Sequence, residues 1–365
     1  MKVGVLGAGA MGGTVIEHLQ HCAGVTEVLA QDIREARVAE LRERYGIAAT
    51  TDVRDILDDP QVPLVFVTSS NDAHKSLVLQ ALATGKAVMC EKPMANSLAD
   101  ARAMVEESER RGAFLQIGFE LRYSKLYTTV KEWIDAGLLG DIINTHCYYI
   151  CSEFHGKGSW RNKKATGGSM FGEKLSHYVD LPRWWIGADV QDVFTVCAPN
   201  VIPYYEVRDN YHTTYRFANG AVSHLTFMMA VGATFHGDPL QDVVSQQQGD
   251  GHALRFLVVG TKGAAETDVF ARTIKRWEFG DSPKNFTSNW VENITWEPKE
   301  DHHFFHSTYD QTFDIVDRVA HGLPPKTSAR DAYETMKLCF AAEESADTGR
   351  LITMDALATV DGRKG

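Results

Sequence analysis

Along the first 120 residues, short apolar runs alternate with stretches in which apolar side chains recur at helical spacing. The runs 3–6, 28–30, 62–68, 87–90 and 114–118 predict strands, and 11–21, 33–45, 73–84 and 97–111 predict helices. Strands that alternate with helices build βαβ units and hence a parallel sheet. Several of these strands are apolar on both faces, as a sheet covered on both sides requires.

After Phe119 the pattern changes. A helix over 124–135 leads through Gly137 and Gly140 into a strand over 142–150. Segments 211–217 and 221–229 flank Ala218-Asn219-Gly220, a hairpin signal because Asn-Gly tolerates positive φ. A second hairpin is predicted from 255–259 and 264–267 around a turn at 261–263, with further strand-like pieces near Trp277 and Trp296. Amphipathic patterns at 309–320 and 329–348 close the chain. The fold class expected is α/β: an N-terminal domain over 1–120, then an α+β domain over 121–365 whose open, mainly antiparallel sheet is a meander.

Composition adds limits. Hydrophobic residues make up 44% and charged residues 23%, ordinary for a chain with a real core. The formal charge is −11, from 48 acidic against 37 basic side chains, which argues against nucleic acid as a partner. Six cysteines are scattered without a C-x-x-C pair. Cys147 and Cys151 fall on one predicted strand about 13 Å apart, too far for a disulfide. That usage suits a reducing compartment. The apolar N-terminus lacks a charged leader region, and no apolar run approaches the roughly 18 residues of a membrane helix. The expectation is a cytoplasmic protein with no membrane partner.

Chemistry enters at Gly7-Ala-Gly9-Ala10-Met11-Gly12, which follows the first strand and opens the first helix. The first glycine allows the tight turn, the second lets backbone approach a pyrophosphate, and the third permits close helix–strand packing. The helix start then offers N–H groups and a positive dipole end to phosphates. Asp32 ends the second strand 20 residues after Gly12, where a carboxylate can accept from a ribose 2′-hydroxyl and repel a 2′-phosphate. NAD is therefore the cofactor expected, although nearby Arg34 leaves NADP open.

Two further segments carry candidate chemistry. Glu91-Lys92-Pro93 ends a parallel strand, at the edge where open α/β sheets bind ligands. Lys92 there is either a solvated loop lysine or a group that reaches a reacting alcohol. The second segment runs from Gly167-Gly168-Ser169 through Glu173 and Lys174 to His177 and Asp180. On a regular helix Glu173 and His177 project from one face. They form either a surface ion pair or a histidine aimed by a carboxylate, which is a general base.

Together with Asn71 and His74, Gly118-Phe119 with Arg122, and Trp160-Arg161, these elements occur in an order that resembles the glucose–fructose oxidoreductase/inositol dehydrogenase (Gfo/Idh/MocA) family over nearly the whole chain. The resemblance implies a Rossmann domain followed by a sheet domain whose open face packs in a homodimer or homotetramer. It implies that Lys92 polarises the substrate oxygen and that His177 is the acid/base. It also implies that Ser69, Asn71, His74, Glu91, Arg122 and Trp160 lie near NAD. The family commonly shows D-x-G-x-H on the catalytic helix, where this chain has Glu173-Lys174-Leu175-Ser176-His177. Glu173 and Lys174 thus join His177 as candidate catalytic groups.

Lys157, Arg161, Lys163 and Lys164 place four cations within eight residues just before this segment. They are a solvated loop, or an anion site that with Arg122 would hold a charged sugar. His302, His303 and His306 with Asp310 have helical spacing. A second ligand cluster is lacking, so no metal is expected, and these histidines are read as flanking a helix start or lining the substrate pocket. Two activities follow from the resemblance: an NAD-dependent oxidoreductase acting on a secondary alcohol of a sugar or polyol, and an NAD-dependent glycosidase. The second would oxidise, eliminate, re-add and reduce, on an anionic glycoside such as a sulfoquinovoside. An intact Lys92 and His177 weigh against a non-catalytic NAD sensor.

Overall fold

The structure, a computed structural model, describes residues 1–234, 236 and 243–355. It divides into two compact units, Met1–Glu120 with Thr308–Met336, and Leu121–Ser307 with the chain from Lys337 on.

The first unit holds six parallel strands: β1 (Lys2–Leu6), β2 (Glu27–Gln31), β3 (Ala48–Thr50), β4 (Leu64–Val67), β5 (Ala87–Cys90) and β6 (Leu115–Ile117). Their order is β3-β2-β1-β4-β5-β6. The central strands are buried on both faces, with Val3, Val5, Leu64, Val65, Phe66 and Val67 inaccessible to solvent. Each such side chain contributes roughly 1.5–3 kcal/mol on burial. Helices α1 (Ala10–His21), α2 (Glu35–Tyr45), α3 (His74–Ala83) and α4 (Leu98–Arg111) follow β1, β2, β4 and β5. Ser97 caps α4 by accepting from the Asp100 N–H at 3.1 Å. The strand order reverses between β1 and β4, so a crevice opens at their C-terminal ends.

The second unit is built on nine strands, β7 (Ile142–Ile150), β8 (Val190–Val196), β9 (Asn210–Phe217), β10 (Val222–Met228), β11 (Ala253–Gly260), β12 (Gly263–Asp268), β13 (Thr273–Asp281), β14 (Phe286–Thr295) and β15 (Ile352–Thr353). The order is β14-β13-β12-β11-β7-β10-β9-β8-β15. The mainly antiparallel sheet expected is present, with one departure from a meander: β7 and β10 are parallel, so the sheet is mixed. Some seventy residues separate those strands, which is the long crossover that parallel pairing needs.

Helices α5 (Lys125–Asp135) and α6 (Ser176–Ile186) cover one face of this sheet. An aromatic cluster glues them down. Tyr178 and Trp185 of α6 meet Tyr149 at 5.0 Å and Phe256 at 5.1 Å between ring centroids. On the opposite face, Phe194, Thr214, His224, His146 and Leu257 stand side by side across β8-β9-β10-β7-β11. Phe194, Tyr148, Val196 and Leu257 remain exposed there.

The boundary read at residue 120 is only the first of three. Residues 308–336 return to the first unit because the helix Thr308–Ala320 buries Ile315 and Val316 in the core beneath α1. Among the described residues no helix is long and apolar enough to cross a bilayer.

Candidate functional site

At the C-terminal edge of the first sheet, Gly7 leaves β1 with φ +89. A Cβ there would fall 2.4 Å from the Ser69 Cα, so the β1 and β4 ends pack backbone against backbone. A Cβ on Gly12 would fall 2.5 Å from the Gly7 carbonyl oxygen, which also accepts from the Thr68 hydroxyl at 2.7 Å. Gly9 differs: its added Cβ meets no protein atom within 4 Å. Only something outside the chain requires a glycine there. The α1 N-cap has no side-chain bond and its first turn no acid, which suits a bound anion. Ala10 and Met11 supply the first helical N–H groups at this end. This cradle fits a dinucleotide pyrophosphate.

Arg37, which sequence reasoning passed over, holds the turn from behind. Its guanidinium donates to the carbonyls of Ala8 at 2.6 Å and Gly9 at 3.3 Å. Asp32 is buried at the end of β2. Burial pushes its carboxyl up, but hydrogen bonds and charge from Arg34 outweigh this and hold it below the usual carboxylate range. Arg34 grips it through Nε at 2.9 Å, NH2 at 3.1 Å and its own backbone N–H at 3.0 Å.

Ser69 lies at the β4 end, and Asn71 opens the short turn that follows. His74 is wholly buried, with Nδ1 2.8 Å from the Pro93 carbonyl oxygen and Nε2 3.2 Å from that of Ser69. It joins the loops after β4 and β5. Buried Glu91 accepts the Lys92 N–H at 3.2 Å, and the Lys92–Pro93 peptide is cis. Lys92 is half-buried beside the glycine turn's own sheet edge.

In the second unit Arg122 is committed to Asp180, through Nε at 2.6 Å and NH2 at 2.7 Å, in a pair almost wholly out of solvent. It also lies 5.7 Å from the Trp184 ring. Asp180 stands one turn beyond His177 on α6, so this pair ties the histidine's helix to the start of the unit.

The regular helix expected across Glu173 and His177 does not form. Phe171–Leu175 is a π-helical turn, and α6 begins only at Ser176. Inside the wider turn the Ser176 hydroxyl bonds back to the Gly172 carbonyl at 3.0 Å, a back-bond that loosens regular helix. Glu173 is buried and paired with Arg161 at 2.9 Å, with His155 Nε2 at 3.9 Å. Arg161 in turn covers the Trp160 ring at 4.8 Å. Lys174 lies 4.8 Å from the Phe154 ring, while Lys157, Lys163 and Lys164 are exposed. One of the four cations of this loop is thus paired with a carboxylate.

His177 is 1% exposed, and its ring meets that of His306 edge-on at 6.0 Å. Beneath the Gly167-Gly168-Ser169 turn sits Glu343, bonded to the Tyr211 hydroxyl at 2.6 Å; burial pushes its carboxyl up. Nothing in the local sequence pointed to Glu343, because its partners lie far along the chain. Among the described residues no group of three or more His, Cys, Asp or Glu side chains is arranged to hold a metal.

The turn, acid and lysine on the parallel sheet define a dinucleotide-dependent oxidoreductase fold. Residues 1–119 match the model of the oxidoreductase family with an NAD-binding Rossmann fold (GFO_IDH_MocA), and 127–266 match its GFO/IDH/MocA C-terminal domain. The chain belongs to this family of NAD-dependent oxidoreductases. It is 26% identical over 361 residues to the myo-inositol 2-dehydrogenase of Thermotoga maritima, covering 97% of this chain and 99% of that protein. It is 28% identical over 355 residues to the inositol 2-dehydrogenase of Salmonella paratyphi B, covering 96% and 95%. Among solved structures, levoglucosan dehydrogenase in complex with NADH and levoglucosan superposes with a TM-score of 0.79 at 21% identity, covering 97% of this chain and 99% of that one.

Proposed function

We propose that this protein oxidises a secondary hydroxyl of an uncharged polyol or sugar. The observation that carries the reading is Lys92, half-buried at the end of β5 on the same sheet edge as the β1 glycine turn, two strands away, where the open space at Gly9 leaves room for a pyrophosphate. NAD, when bound, supplies the hydride acceptor. Lys92 polarises the hydroxyl oxygen, and the buried His177 takes its proton. The relatives named for inositol and levoglucosan support a polyhydroxylated substrate. An uncharged one is favoured because Arg161 is paired with Glu173 and the loop lysines are solvated.

Ser69, Asn71, Glu91 and Trp160 are assigned to the cofactor side. Arg122 is assigned to positioning, since its guanidinium is held by Asp180. Six free thiols suit a reducing compartment such as the cytoplasm. The exposed Tyr148, Phe194, Val196 and Leu257 on one sheet face favour a homodimer that covers them.

The test mixes the enzyme with less than one equivalent of NAD and a panel of polyols, free sugars and glycosides in heavy water, followed by NMR. Ketone limited by the NAD supplied is the expected result. Many turnovers per NAD, with aglycone released and deuterium beside the anomeric carbon, would replace this reading by the redox-neutral glycosidase.

A further inference from the structure

Oxidation of an alcohol releases a proton as well as a hydride, and a base with 1% exposure cannot hand that proton to water unaided. His306 stands where an exit is needed. Its ring lies 6.0 Å from that of His177 at an interplanar angle of 83°, and it is half-buried where His177 is sealed. One bridging water or a small ring rotation joins two imidazoles at this separation.

The backbone at His306 carries a second sign. Its φ is +50, a left-handed conformation that non-glycine residues rarely adopt. Such geometry persists where the surroundings over-determine it, and it concentrates at functional sites. The surroundings here do so. On one side Phe304 stacks on Trp296 at 4.4 Å, and Asp301 is held by Arg272 at 2.7 and 2.9 Å and by the Trp296 indole N–H at 2.8 Å. On the other side the Ser307 N–H donates to the Ser124 hydroxyl at 3.2 Å. The chain is fastened before and after a single residue whose ring faces the base.

We propose that His306 relays the substrate proton from His177 to solvent, a role that rests on the dehydrogenase reading above. The alcohol C–H leaves as hydride to NAD, and the O–H proton passes to His177. His177 gives that proton to His306, which gives it to water. The products are ketone, NADH and one solvated proton. Histidine suits the step because imidazole both accepts and donates near neutral pH.

The test is stopped-flow in weak buffer with a pH indicator, following NADH and proton release together. In the native enzyme the two should rise in step. His306→Asn keeps a side chain that tolerates positive φ, and His306→Gly serves as a second variant free of backbone conflict. In both, proton release should lag NADH by about tenfold or more, and added imidazole should close the gap. Release in step with NADH in the variants, or a lag that imidazole leaves unchanged, would overturn the relay while leaving the dehydrogenase intact. Absence of NADH from the native enzyme with every polyol would remove the dehydrogenase reading and the relay with it.

Discussion

The glycine turn of the first unit and the glycine turn of the second both bring backbone close to backbone, yet they are held in different ways. Gly7 packs on the backbone at Ser69 and Gly12 on the Gly7 carbonyl, and the turn's carbonyls accept from the Thr68 hydroxyl and the guanidinium of Arg37. Gly167 and Gly168 lead into a π turn whose supports are charged side chains. Arg161 closes on Glu173, Asp180 holds Arg122 from 58 residues away, and buried Glu343 lies beneath Ser169. The first arrangement is made largely of backbone contacts. The second rests on charged side chains, among them the buried Arg122–Asp180 pair, which costs several kcal/mol to break. The glycine turn of the first unit is held by backbone shape, whereas the turn before His177 is braced by charge.

The largest effect expected is at the chemistry itself. Lys92→Ala and His177→Ala should each lower kcat by roughly 10²–10⁴-fold. NADH affinity, measured by fluorescence titration, should change little for His177→Ala, and a comparable loss of NADH binding there would erase the distinction between the two halves. Next comes the brace. Asp180→Ala leaves Arg122 buried without that carboxylate and should cost about 3–5 kcal/mol in denaturant unfolding. A cost near zero would mean that the second turn is as self-sufficient as the first.

Within the first turn, Gly12→Ala should lower stability by about 1–3 kcal/mol, because its Cβ meets the Gly7 carbonyl. Gly9→Ala should leave unfolding unchanged and weaken NADH binding alone, since the space around it is open. Equal effects on both measurements would show that the cradle is not shaped for a ligand. The smallest effect is expected at the sheet face. Burial first, and then the neighbouring His224, push His146 below the usual histidine value of 6.5. The unfolded chain therefore binds its proton more readily than the folded one. Stability from this residue is present above about 6.5 and is lost as pH falls below that value through the lower folded one. His146→Asn should flatten the acid side of a thermal-melt pH series.

The sequence was most informative where a structure is local. The runs at 87–90 and 142–150 coincide with β5 and β7, since apolar residues bounded by glycine and charge leave little choice of ends. The strand β3 escaped because three residues, Ala-Ala-Thr, display no period. The amphipathic pattern at 309–320 disclosed that a face is buried but not that it belongs beneath α1. The same limit applies to the site. Gly7, Gly9, Gly12 and Asp32 form a motif because they must be spaced for one ligand. Arg122 and Asp180, or His177 and His306, are joined only by folding, and no spacing rule connects them. The π turn is likewise invisible to a pattern built on 3.6 residues per turn.

The return of residues 308–336 to the first unit bears on how the protein is made. A chain emerging from the ribosome presents the glycine turn, Asp32 and Lys92 before Ile315 and Val316, which belong to the same unit but follow residues 121–307. The cofactor unit therefore cannot finish folding as an N-terminal fragment in the way consecutive domains do. Its completion waits for most of the second unit to be translated, so that an NAD cradle closes only on a protein that already contains residues 121–307.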